Sequence, residues 1–140
     1  MIALRLVLDT NIVVSAALKT DGLQRTVLLL AMTRPARLYV TASLLAEYRE
    51  VLARQEFKIR KGLRQQILQF LENHAQLVKP ARVLRVAKDP DDDMFLECAE
   101  AARADYLITG NPRHSPKFWR NTKVITSREF ISIVAPHFIA

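Results

Sequence analysis

The sequence predicts one α/β domain built on a mostly parallel sheet. Three observations carry that reading. Short apolar runs at Leu6–Leu8, Arg37–Val40, Tyr106–Ile108 and Val124–Ile125 have the length and side-chain character of buried strands. Segments with apolar residues at helical spacing separate these runs, the alternation expected of βαβ units. The 140 residues, 50% of them hydrophobic, suffice for one sizeable core.

The elements follow in order. Leu4–Asn11, L-R-L-V-L-D-T-N, is an apolar strand that stops at Asp9. A lone carboxylate inside a buried strand would be very costly, so Asp9 belongs at the strand's C-terminal end, opening into a crevice. Thr10 or Asn11 can cap a short helix through Ala17. Leu23, Val27, Leu30 and Ala31 give an amphipathic helix that Arg34-Pro35 ends. After the strand at Arg37–Val40, Thr41 or Ser43 caps a helix whose core stripe is Leu44, Tyr48, Val51 and Leu52. The basic stretch Arg54–Arg64 precedes a helix with Leu63, Ile67, Phe70, Leu71 and His74 on one side. Leu77-Val78 and Val83–Val86 are compatible with a strand broken at Pro80. D-P-D-D-D at 89–93 opens a helix to about Ala104, and the strand Tyr106–Ile108 runs into Thr109-Gly110-Asn111. A loop rich in proline and basic residues reaches Asn121, then come the strand Val124-Ile125 and a helix capped by Ser127.

Composition narrows the function. Twenty-one Lys and Arg against 14 Asp and Glu give a net charge of +7, which favours an anionic partner such as nucleic acid. No apolar run is long enough to span a bilayer. The first residues run straight into a strand without a basic leader, so the expected location is the cytoplasm. Cys98 is the only cysteine, which rules out an intrachain disulfide and a cysteine zinc site, and it reads as a small core residue.

The acids are concentrated. Asp89, Asp91, Asp92, Asp93, Glu97 and Glu100 lie within twelve residues of a basic chain. Such crowding needs compensation from solvent, cations or a helix N-terminus, and capping and metal binding explain it equally well. Helix phase sorts them. Glu97 and Glu100 fall away from the stripe of Phe95, Cys98, Ala99 and Ala102 and are expected in solvent, whereas Asp93 sits at the helix start. On the helix after Ser43, Glu47 borders the core stripe and Glu50 faces water, at about 100° per residue. Asp9, Glu47 and Asp93, from three separate elements, could therefore meet at one sheet edge. Three such carboxylates suit Mg²⁺ or Mn²⁺ and point to metal-assisted phosphodiester cleavage, although each acid could instead be a cap or a surface charge.

Taken together, L-D-T-N at 8–11, Glu47-Tyr48, D-P-D-D-D at 89–93, L-I-T-G-N at 107–111 and Thr126–Phe130 resemble a PIN domain, and the branch they look most like is the VapC-like toxin ribonucleases of toxin–antitoxin modules. The resemblance implies a three-layer α/β/α fold with a mostly parallel sheet of about five strands. It further implies Mg²⁺- or Mn²⁺-dependent hydrolysis of RNA by in-line attack of a metal-activated water. Under it, Asp9, Glu47 and Asp93 match the metal-binding and catalytic acids, while Asn11 and Thr109 match polar pocket positions. Asn111 stands where many members carry a fourth Asp, which puts a second tightly held metal in question unless Asp91 or Asp92 substitutes. An antitoxin partner and a homodimer are implied by the family alone.

Arg113, His114, Lys117 and Arg120 follow closely after Asn111 and are candidates for contacts to an RNA backbone, with a solvated basic loop as the alternative. Phe118 and Trp119 could stack on a base or pack into the core. A haloacid-dehalogenase phosphatase would need a second Asp at position 11, where Asn11 stands, and no P-loop or dinucleotide fingerprint is present. A PIN-like nucleic-acid-binding module with little catalysis is the competing class, and Asn111 is the feature in its favour.

Overall fold

A computed structural model of the protein describes residues 3–19, 21–87, 89, 92–110 and 116–135. Strands β1 (Leu4–Leu8), β2 (Ala36–Val40), β3 (Gln76–Leu77), β4 (Tyr106–Ile108), β5 (Phe118–Trp119) and β6 (Thr122–Ile125) form one sheet in the order β3-β2-β1-β4-β6-β5. Every neighbouring pair is parallel except β5–β6. Helices α1 (Thr10–Leu18), α2 (Leu23–Ala31), α3 (Ala42–Leu52), α4 (Lys61–His74), α5 (Asp93–Ala102) and α6 (Ser127–Val134) surround it.

Strand β1 lies inside the sheet, and Leu6, Val7 and Leu8 are fully buried, as a parallel strand covered on both faces must be. From β1 the chain steps outward to β2 and β3, then returns across β1 to β4. Helix α1 packs on α2 and α3, α2 packs on α6, and α5 covers β1, β2 and β4. With right-handed crossovers, the reversal between β3 and β4 puts α5 on the face opposite α1 and α2, which makes three layers. Among the described residues no helix is long and apolar enough to cross a membrane.

Local choices differ from expectation in instructive places. The cap of α1 is Asp9 itself, whose Oδ1 accepts the Asn11 amide at 3.4 Å. Thr10 and Asn11 lie inside the helix. Thr41 caps α3 through the Leu44 amide. Thr126, not Ser127, caps α6 in a capping box with Glu129, while Ser127 is buried and hydrogen-bonds Gln24 of α2. Helix α5 stops at Ala102 because Arg103 turns left-handed at φ 51°. Val83–Val86 is not a strand: the Leu84 and Val86 amides find side chains of α5 instead of a neighbouring strand. The sheet gains β5, a two-residue antiparallel strand inside what reads as a loop.

Cys98 is fully buried, and burial pushes its thiol up to about 12 from an ordinary 9.0. Burial, reinforced by Cys98, Asp9 and Glu47, likewise raises the Tyr48 hydroxyl well above 10.0. In both cases the fold favours the neutral form, so the unfolded chain ionises first as pH rises. This contribution to stability is complete below about pH 9 and is lost as pH climbs from 9 through 12. The urea midpoint is therefore expected to fall between pH 9 and 11, and to fall less steeply in Cys98→Ala. A midpoint that is flat over that interval would contradict the burial assignment.

Candidate active site

The Asp9 amide donates to Ile108 O at 2.9 Å, extending the β1–β4 ladder by one residue, and the Thr109 amide donates to Ile125 O at 2.9 Å. Asp9 and Thr109 thus stand at the carboxyl ends of adjacent strands, where the direction of strand addition reverses. In open α/β sheets a crevice forms at such a point. Thr109, 1% exposed, donates its hydroxyl to Asp9 Oδ2 at 2.6 Å. With Oδ1 on the Asn11 amide, the carboxylate is oriented through both oxygens.

Helix α3 delivers Glu47 to the same place. Its Oε2 accepts the Thr10 hydroxyl at 3.3 Å, one residue past Asp9. The next residue, Tyr48, is fully buried and donates its hydroxyl to Leu8 O at 2.6 Å, one residue before Asp9. Tyr48 pins α3 to the end of β1, and Glu47 follows from that attachment. Helix phase alone puts Tyr48 in the core stripe and Thr10 at a cap, and neither bond follows from it. The available signal was the phenol itself, since a buried tyrosine hydroxyl requires a partner.

Asp93 opens α5, which ends three residues before β4 begins and so runs against the strands. Its first turn therefore lies at the same sheet edge as Asp9. The carboxylate is 5% exposed, and Oδ1 accepts the amides of Val86 (3.0 Å) and Ala87 (2.8 Å), leaving Oδ2 unbonded. It faces a groove of about 620 Å³ lined by Ser43, Leu84, Ala87, Asp93, Met94 and Glu97 among others. Glu97 and Glu100, expected in solvent, continue the same face of α5 instead. Glu97 accepts the Leu84 amide at 2.9 Å, and Glu100 pairs with Arg82 at 2.7 Å, which lowers the Glu100 carboxyl below its usual range. Residues 82–87 thus lie along α5 as a strap, the amides of Leu84, Val86 and Ala87 satisfied by carboxylates where a strand would use a ladder.

The structure brings Asp9, Thr10, Glu47 and Thr109 together, with Asp93 at the same edge in its own groove. Asn11 is exposed and contributes its backbone amide. Asp91, Asn111, Arg113 and His114 lie outside the described residues. Lys117 is exposed and its carbonyl accepts the Val124 amide. Arg120 sits elsewhere: its guanidinium lies over Trp119 and 3.4 Å from Glu100, seven residues or about 10 Å along α5 from Asp93. The two-strand hairpin turns it toward the opposite end of the sheet.

Among the described residues no three His, Cys, Asp or Glu side chains are grouped to hold a metal ion. The donor chemistry nonetheless fits a hard cation. Asp9 and Glu47 are half-buried carboxylates, and no ion pair among the described residues engages them or Asp93. Mg²⁺ is commonly held by only one or two carboxylates, with water and phosphate oxygens completing the shell.

Comparison with known proteins places this arrangement. The family model described as PIN domain matches residues 5–113, a range that contains Asp9, Glu47, Asp93 and Thr109. The chain belongs to the PIN domain family. PIN domains are generally nucleases and generally use divalent metal ions. This PIN domain is similar in fold to a chain in the crystal structure of VapBC2 from Rickettsia felis bound to a DNA fragment from their promoter. The TM-score is 0.58 at 17% identity, over 88% of this chain and 98% of that one. No protein of curated function matches the sequence. The PIN resemblance read from the motifs holds, as does the α/β/α fold, with six strands where five were expected.

Proposed function

We propose that this PIN domain is a ribonuclease that hydrolyses RNA phosphodiester bonds with the help of Mg²⁺ or Mn²⁺. The observation that carries the reading is the Asp9–Thr109 hydrogen bond at the strand-reversal crevice, with Glu47 delivered beside it through Thr10. Asp9 and Glu47 would hold the cation, and Asp93 would contribute through its unbonded Oδ2. When bound, the cation supplies a lowered pKa for water and charge stabilisation at the phosphate. Thr109 and the Asn11 amide keep Asp9 aimed into the crevice, and Thr10 keeps Glu47 beside it. No side-chain base is required. The net charge of +7 suits a polyanionic substrate.

From the motif resemblance to VapC-like toxins, with the VapBC2 chain as a relative in fold, we extend the proposal to a VapC-like toxin that acts in the cytoplasm, is restrained by a protein antitoxin and assembles as a homodimer. The test is incubation of RNA pools with the protein in Mg²⁺, in Mn²⁺ and in chelator. Cleavage that requires either cation supports the reading. RNA that is bound but left intact in both would overturn it in favour of a nucleic-acid-binding module, the class that the neutral Asn111 suits.

A further inference from the structure

The β5–β6 hairpin lies beyond the matched PIN segment, which ends at residue 113. From Tyr106 to Arg128 the chain carries Arg113, Lys117, Arg120, Lys123 and Arg128 and no acid, a local charge of +5 against +7 for the whole protein. The adjoining acids are already engaged: Asp105 accepts the Arg5 amide, and Glu100 pairs with Arg82 and Arg120. Within this basic region Phe118 is 59% exposed. It stands directly across from Lys123 in the antiparallel register, and Lys123 is in turn the parallel neighbour of the half-buried Tyr106. Cross-strand partners share a face, so Phe118 and the exposed Lys123 are adjacent side chains there.

An exposed aromatic face beside an exposed cation is the chemistry that holds single-stranded nucleic acid, through base stacking and phosphate contact. Strand β6 leads from this pair to the crevice. Ile125, two residues after Lys123, accepts the Thr109 amide. Phe118 is three strands from β1, about 14 Å sideways, and about 10 Å along the strands from Asp9. A strand whose scissile phosphate lies at Asp9 can cross β6 and reach it. We infer that Phe118 is a base-stacking platform, with Lys123 as a phosphate contact, for the single-stranded RNA that the crevice cuts. The inference rests on the ribonuclease reading and adds to it a binding surface outside the matched PIN segment.

The test uses the full chain carrying Asp9→Asn, in chelator, so that binding is read without cleavage. Fluorescence anisotropy follows a labelled unstructured RNA oligonucleotide and its duplex. Adding Phe118→Ala is expected to weaken binding of the single strand about 5- to 150-fold and binding of the duplex far less, with Phe118→Tyr restoring affinity. Lys123→Ala is expected to lower the slope of log affinity against log salt by about one. Single-strand affinity within twofold of the parent in Phe118→Ala overturns the proposal. So does an equal loss for the duplex, or a change of sedimentation mass with RNA affinity intact, which would make the face a protein contact. Phe118-dependent binding by a protein that cuts no RNA would leave the platform standing and remove only the nuclease reading.

Discussion

Asp9→Asn is expected to reduce metal-dependent RNA cleavage by more than about 100-fold with the thermal midpoint almost unchanged. The two halves of this result have separate physical causes. Loss of the charge removes the carboxylate on which Thr109 and the Asn11 amide converge, and no other described acid shares that position. Stability is kept because Asn serves as an N-cap as well as Asp does, and its amide oxygen can still accept from the α1 amide or the Thr109 hydroxyl. Initial rates in Mn²⁺, read beside the melting curve, check both halves. Full cleavage by a folded Asn variant would remove Asp9 from the site.

Tyr48→Ala is expected to cost about 3–5 kcal/mol, the range for emptying a large aromatic position in a packed core. Against a total stability of about 5–15 kcal/mol, that leaves a marginal protein at body temperature. Tyr48→Phe separates the hydroxyl from the ring. It leaves the Leu8 carbonyl without its 2.6 Å donor in a dry environment and should cost about 1–3 kcal/mol. Urea unfolding of both variants measures the two contributions. A Phe variant as stable as the parent would mean that the bond to Leu8 does not hold α3 against β1, and the account of how Glu47 is positioned would fall with it.

The parts of the molecule that burial dictates were readable in the sequence. The runs ending at Asp9 and Thr109 are too apolar to lie anywhere but the middle of the sheet, and each polar terminus marks where its strand leaves the core. Helix phase likewise separated Glu47, which meets Thr10, from Glu50, which faces water and pairs with Arg54 on the surface. Less was legible wherever a polar group's partner lies far along the chain. Val83–Val86 has strand-like residues, yet the Leu84 and Val86 amides go to Glu97 and Asp93, a competition that no local pattern encodes. Glu97 and Glu100 point away from the core stripe as helix phase requires, and become structural only because the strap arrives on that face. Strand β5 has two residues with Phe118 exposed, so it has neither the length nor the alternation that signals a strand. Arg120 sits close to the site in sequence and far from it in space because a hairpin intervenes. Thr126 and Ser127 are both good caps, and the choice between them was made by Gln24 across the α2–α6 contact.

The strand order has one more consequence, for solubility. An exposed strand edge offers a row of unpaired amides and carbonyls onto which another chain can add. Of the runs best suited to such addition, LRLVL in β1 has a neighbour on each side, and in ARLYV of β2 the outer edge of Tyr39 and Val40 is covered by β3. The two outer positions are held by β3 and β5, each only two residues long. An incoming strand at either outer position therefore finds a ladder of only two residues, and the most apolar strand, β1, is enclosed on both sides by β2 and β4.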